Sequence, residues 1–162
     1  MTATFPTDST TQPTDGSWFL DTWMRVLCDH DSTDGAMSMI EWRGGAGFSP
    51  PLHVHHGEDT AMLVLEGSLT VRVGDEETVA GPGDLAWLPR DVPHTFRVET
   101  ETARYLEVIT PAGFERFHVE GSRPVSGDSF LPEPTPVDPA ALAAHAAEHA
   151  CDIIGPPMGP AA

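Results

Sequence analysis

The sequence predicts an all-β protein, a small barrel or sandwich, with a short helical extension near its C-terminal end. Roughly eight or nine short runs of aliphatic, aromatic and β-branched residues recur at regular spacing, with Gly, Pro or Asp turns between them. Only one stretch, PAALAAHAAEHA, reads as a clear helix. Histidines stand two residues apart in HVH, a spacing that puts both rings on one face of a strand.

Taken in order, residues 1–16 are rich in Thr, Pro and Asp and have little to bury against their ordering entropy, so a flexible N-terminal arm is expected. The barrel is expected over 17–120. WFLDTWMRVLC (18–28) reads as one strand, DHDSTDG (29–35) as a turn and AMSMIEWR (36–43) as the next strand. GGAGFSPP (44–51) is a Gly/Pro loop that delivers the chain to His53. Further strands are read at 59–65, 69–73, 77–80, 85–89, 94–99 and 103–110. GFERFHVEG (113–121) has Phe114 and Phe117 at i and i+3, the mark of a helical turn. Half of the prolines fall after position 120, so 121–137 is read as a surface linker and 138–162 as a helix and tail. Asp138-Pro139 supplies an N-cap and N1 pair for that helix, and the Pro/Gly stretch from Cys151 onward cannot continue it.

Length, 162 residues, suits one domain with a sizeable core. The formal charge is −17, and all 8 basic residues are Arg. Such an acidic chain argues against nucleic acid or an anionic membrane as partner, because phosphate neutralisation needs a cationic face. No apolar run approaches the roughly 20 residues of a membrane span, and the N-terminal residues have no signal-peptide pattern. Cys28 and Cys151 have no CxxC spacing, so free thiols in a reducing cytoplasm are expected.

Within the stretch GFSPPLHVHHGEDTAMLVLEG, His53 and His55 share one strand face, about 6.6 Å apart along the chain. His56 has the opposite parity and is read as a surface residue. His94 follows a proline-bounded corner, PRDVP, and is the third candidate ligand for one metal ion. His30 and His118 are read as solvent-facing. His145, Glu148 and His149 form HxxEH on the C-terminal helix, a possible chelating pair at i and i+4. Its surroundings are nearly all Ala and few residues follow to supply a third ligand, so a docking helix with exposed imidazoles is expected there.

Two spacings extend this reading. Gly47, five residues, His53-Val-His55, four residues, position 60, six residues and Gly67 form the first. Gly83, five residues, Pro89, Arg90, Asp91, two residues and His94 form the second. They resemble the two motifs of the cupin superfamily. The flanking run VLEGSLTVRVGDEETVAGPGDLAWLPRDVPHTFRVE, the following TPAGFERF and DPAALAAHAAEHACDIIGPP are similar to single-domain cupins of the quercetin 2,3-dioxygenase-like group. The resemblance implies a cupin β-barrel of jelly-roll type, a divalent transition metal (Fe, Ni, Cu, Zn or Mn) on His53, His55 and His94, a small-molecule substrate and a homodimer paired through a barrel face, for which the outward Leu63 and Leu65 are suited.

Three positions depart from the family pattern: Thr60 stands where a metal-binding Glu is usual, Asp91 where Gly is usual and Val98 where Asn is usual. In the family that Glu can also act as a base toward a bound enol or flavonol. Thr60 removes both the anionic ligand and the base, leaving three neutral imidazoles. Glu58 has the right parity and the longer reach to substitute; otherwise it is a solvated loop carboxylate. Glu58 and Thr60 are therefore the candidate catalytic positions. By parity with His94 and position 60, Phe96, Val98, Met62 and Val64 line a mostly apolar cavity, or simply fill the core. The resemblance implies a metal-dependent dioxygenase for an aromatic, flavonol-like or polyketide-like substrate. The alternatives are a non-redox isomerase, cyclase or decarboxylase, and a cupin that binds a small ligand without turnover.

Overall fold

A computed structural model describes residues 11–160 of the chain; positions 1–10 of the expected arm lie outside the described residues. In chain order the elements are β1 (Ser17–Phe19), β2 (Thr22–Cys28), α1 (His30–Thr33), β3 (Ser38–Gly45), β4 (Pro51–His55), β5 (Asp59–Glu66), β6 (Leu69–Val73), β7 (Glu76–Ala80), β8 (Leu85–Leu88), β9 (His94–Val98), β10 (Thr102–Thr110), α2 (Glu115–Glu120), β11 (Arg123–Pro124), α3 (Pro139–Glu148) and β12 (Cys151–Pro157). They build two antiparallel sheets, in the orders β11-β1-β2-β3-β10-β5-β8 and β12-β4-β9-β6-β7. The all-β jelly-roll expectation is met.

Alternation along the strands makes the core. Ile40 and Trp42 on β3, Met62 and Val64 on β5, and Tyr105 and Ile109 on β10 point inward from the large sheet. Leu69, Val71 and Val98 meet them from the smaller sheet. Burying each such side chain contributes roughly 1.5–3 kcal/mol, so this layer welds the two sheets together. Gly67 ends β5 at φ 75°, and a Cβ there would overlap the Thr102 carbonyl oxygen, so only glycine allows the chain to turn against β10.

Several boundaries differ from the sequence reading, each for a local reason. The 18–28 run is a hairpin: Leu20 takes a left-handed φ of 51°, and Phe19 pairs with Thr22 across a two-residue turn. Leucine is an unfavourable residue for that conformation, so the turn had no Gly or Asn to betray it. The 29–35 turn contains the single-turn α1, capped by Asp29, whose Oδ1 accepts from the Ser32 amide at 2.8 Å. The linker is not free: the Trp18 indole donates to the Phe130 carbonyl at 2.7 Å, and the Trp23 and Phe130 rings meet edge to face at 5.1 Å.

The largest difference is at the C-terminal end. Ala150 turns the chain with φ 54°, and residues read as a tail return as β12, antiparallel to β4. Pro156 and Pro157 disguise this strand, but β12 lies at the sheet edge, where a missing N–H costs no ladder bond. The barrel therefore does not end near 120. Its consequence is functional, since β4 carries two of the three candidate ligands and is now gripped on both sides.

On the outer face of the large sheet, Leu63 and Leu65 point outward beside Leu85 and Trp87, which are 61% and 50% exposed. Cys28 and Cys151 are unpaired thiols. Among the described residues no helix is long and apolar enough to cross a membrane.

Candidate metal centre

Register brings the histidines together. In the β4–β9 pair, His53 stands directly opposite His94, and His55 lies two residues on along the same face. The ring centroids are 4.9 Å (His53–His55), 4.5 Å (His53–His94) and 5.0 Å (His55–His94) apart. One ligand atom from each residue lies within 4.8 Å of the other two.

The corner that delivers His94 is tied to the same strand. Asp91, at the position where a glycine is usual, adopts φ 63°, a left-handed conformation that Asp tolerates better than most side chains. Its amide donates to the His55 carbonyl at 2.8 Å, and its Oδ1 pairs with His56 Nδ1 at 2.6 Å. His56 also reaches Asp152 Oδ2 of β12 at 3.2 Å, so this exposed imidazole bridges the corner and the edge strand.

Backbone carbonyls set the tautomers. His53 Nδ1–H donates to the Pro51 carbonyl at 2.7 Å, and His94 Nδ1–H to the Val92 carbonyl at 2.9 Å. Each ring then presents Nε2 with a free lone pair. His55 Nδ1 lies 2.6 Å from Glu58 Oε1, without the alignment of a well-formed hydrogen bond, and both of its ring nitrogens are buried with no aligned partner. Burial, then the neighbouring His55, lowers His53 to a pKa of about 4. Burial and then His56 lower His55 to about 4, and burial with His53 and His55 lowers His94 to about 3. All three are neutral imidazoles at physiological pH, the form that ligates.

This donor set fits a divalent metal. Three neutral nitrogens converge, two have their second nitrogen anchored to a carbonyl, and the third holds two orphaned polar atoms that a buried site does not leave idle. Glu58 is not the solvated loop carboxylate of the sequence reading: it is 6% exposed, and burial raises its pKa to about 7. Its carboxyl sits on the His55 ring and is outside the three-residue ligand group. Thr60 is buried at 2% exposure, opposite Leu88 and Ile109.

A cavity of about 90 Å³ opens beside the imidazoles, with His53 and His55 in its wall. Met62 and Phe96 line it; Val64 and Val98 lie deeper, fully packed between the sheets. Phe48, Phe114, Phe117 and Trp42 contribute aromatic rings to the wall. Two further polar residues face the cavity. Glu107 accepts from Trp42 Nε1–H at 2.8 Å, and burial above all raises its pKa to about 7. His118 is buried among Phe19, Trp42, Phe114 and Phe117, 3.8 Å from Glu107 Oε2, with neither ring nitrogen hydrogen-bonded. Burial first, then the charges of His55 and His53, hold it well below the ordinary imidazole pKa.

His118 corrects the solvent-facing reading: α2 folds its Phe117–His118 side onto the barrel mouth. Glu107 had a legible signal, an acid at inward parity between Tyr105 and Ile109. His118 had none, because a six-residue helix does not declare its buried face.

The cupin domain family matches residues 40–109, a span that holds all three histidines. The chain carries a cupin domain over these residues. This cupin is 26% identical over 110 residues to the quercetin 2,3-dioxygenase of Bacillus subtilis (strain 168); the match covers 68% of the chain and only 33% of that relative's length. The solved polyketide cyclase RemF from Streptomyces resistomycificus is 26% identical, with a TM-score of 0.52 over 68% of this chain and 79% of that one. KdgF from Halomonas sp. shares the fold alone, at 14% identity and a TM-score of 0.54, covering 59% of this chain and 84% of that one.

Proposed function

We propose that this cupin is a metal-dependent enzyme for a small aromatic or polyketide-like substrate, with His53, His55 and His94 holding one divalent transition metal. The observation that carries the reading is the convergence of three neutral imidazoles, two of them in the wall of a ring-lined cavity that also contains a carboxyl group, Glu107. Bound there, the metal supplies Lewis acidity and a template for a substrate oxygen. The chain's own residues do the rest. Phe48, Phe114 and Phe117 stack on a flat ligand and exclude water. Glu58 orients the His55 ring. Glu107, poised near neutral pH, takes or returns a substrate proton, the work lost when Thr60 replaced the usual Glu.

Cavity size narrows the substrate. An apolar cavity of roughly 150 Å³ takes a benzene-sized guest, and this one is about 90 Å³. A single ring enters with side-chain adjustment; a flavonol requires α3, which contributes Leu142 and Ala146 to the wall, to move aside.

Dioxygenation is the first reaction we assign, in line with the quercetin dioxygenase relative. Proton-transfer chemistry without O₂, cyclisation or isomerisation, is the second, favoured by Glu107 and by the 26% identity to a polyketide cyclase. The deciding experiment supplies the purified protein with Fe²⁺, Ni²⁺, Cu²⁺, Zn²⁺ or Mn²⁺ in turn and screens hydroxylated single-ring aromatics and short polyketide-like diketones in an oxygen electrode. Uptake of one O₂ per product supports dioxygenation; product without O₂ uptake supports the second reading. No turnover with any metal contradicts both and leaves a ligand-binding cupin.

We also read the chain as a cytoplasmic homodimer, a setting that suits two free thiols. The exposed Leu85 and Trp87, with Leu63 and Leu65, form the face for a second copy. Trp87→Glu is expected to convert a dimer to a monomer in sedimentation analysis, with metal content unchanged; an unaltered sedimentation coefficient contradicts the assignment.

A further inference from the structure

Away from the cavity, the described residues gather a second set of metal-ligating side chains. Glu120 ends α2, His145 lies in the last turn of α3, and His149 caps the C-terminal end of α3 four residues on. One ligand atom from each of the three lies within 4.8 Å of the others. His149 Nε2 is 3.1 Å from Glu120 Oε2, and the two imidazole rings are 5.0 Å apart. The third ligand that the sequence did not place after the helix comes from before it, because His145 and His149 reach Phe117 and Glu120 of α2.

Three features mark this group as more than an ion pair. The rings are already oriented: His145 stacks on Phe117 at 4.8 Å and 24°, and its Nε2 lies 2.9 Å from the Phe117 carbonyl oxygen. His149 meets the edge of the same Phe117 ring at 5.8 Å. The two histidines are shielded, with side chains 25% and 15% exposed, whereas Glu120 is 55% exposed and free to swing. Ligands about 2.0–2.1 Å from one tetrahedral ion stand roughly 3.3 Å apart, so modest rotation of Glu120 and the imidazoles closes the set. Glu148, whose Oε2 is 4.0 Å from His145 Nδ1, or a water completes it.

We propose that Glu120, His145 and His149 bind one divalent cation of the zinc class, separate from the barrel site, and that this ion clamps α3 to α2. The need for a clamp is physical. Six of the ten residues of α3 are alanine, and Ala146 is its only buried residue, so little apolar area holds it down. Yet Leu142 and Ala146 of α3, with Phe114 and Phe117 beside them, wall the cavity. An ion bonded from both helices fixes that wall.

The test uses Zn²⁺ alone and the full chain, and it is independent of the barrel site. In a His53→Ala/His94→Ala protein, competition with a chromophoric chelator is expected to find one tightly bound Zn²⁺. Groups that only support a ligand hold about 10–100-fold in affinity, so loss of a ligand in His149→Ala or Glu120→Gln is expected to weaken binding by about 100-fold. Zn²⁺ should also slow hydrogen exchange of the α3 amides in the double variant and not in its His149→Ala derivative. Should the double variant fold poorly, Glu120→Gln/His149→Ala in the otherwise unchanged chain is expected to lower total uptake from two Zn²⁺ to one. Zinc uptake that these substitutions leave unchanged, or no uptake in the folded double variant, overturns the proposal. Loss of the barrel ion with the helix ion retained counts against the enzyme reading and not against this one.

Discussion

Glu107→Gln is expected to lower kcat by about 10²–10⁴-fold once a substrate is in hand, the span a positioned proton-transfer group contributes. The substituted amide keeps an acceptor for the Trp42 indole and nearly the same volume, so the fold should survive. Burial raises the Glu107 pKa to about 7, the Trp42 hydrogen bond lowers it and the Glu58 charge raises it again. As a base Glu107 works ionised, so the wild-type rate should climb as pH rises through about 7, and Glu107→Gln should flatten that limb. Stability gives a second readout with its own sign. The folded pKa is above the ordinary 4.5, so the folded protein holds this proton more tightly than the unfolded chain. Stability is therefore lost as pH rises from about 4.5 to 7 and levels off above. Glu107→Gln removes that loss, and its urea midpoint relative to wild type should improve between pH 5 and pH 8. A mutant with the wild-type pH–rate profile refutes the assignment.

Glu41→Ala is expected to destabilise the fold by about 3 kcal/mol in urea titrations. The Glu41 side chain is 1% exposed on the outer face of the large sheet, yet it accepts from Arg25 at 2.6 Å and Arg104 at 2.7 Å, joining β2, β3 and β10. The effect falls at the low end for a broken buried pair because Arg25 and Arg104, 31% and 30% exposed, can turn to water. Burial pushes the Glu41 pKa up, but the hydrogen bonds and charges of Arg104 and Arg25 outweigh it and hold it below the ordinary 4.5. A lowered carboxylate stabilises above its unfolded pKa and loses that contribution as pH falls through its folded one. The gap between wild type and Glu41→Gln should thus be full above about pH 5 and narrow on acidification. A constant gap contradicts the linkage.

What was legible in the sequence followed from parity and turn chemistry. His53 and His55 at i and i+2, and the Gly47, Gly67 and Gly83 turns, announce a β-barrel with imidazoles on an inner face. Their partnership with His94 depends on one cross-strand register, His53 opposite His94, that residue spacing hints at through the PRDVP corner. Met62 and Phe96 line the cavity whereas Val64 and Val98 of the same parity lie deeper, because alternation gives the face of a residue and not its depth. The strand β12 was hidden by its prolines, which only an edge position tolerates. The burial of Glu58 and His118 depends on loop and helix packing that no local pattern encodes. Glu107 could have been found by asking why an acid occupies an inward position of ARYLEVIT.

Metal content is the most direct test of the barrel site. The measurement is elemental analysis of Glu120→Gln/His149→Ala protein, incubated with a divalent transition metal and desalted, compared with the same protein carrying His55→Ala or His94→Ala. One ion per chain before the histidine is removed, and next to none after, is the predicted result. A metal content of zero despite supply, or one that survives the loss of His55 and of His94, contradicts it.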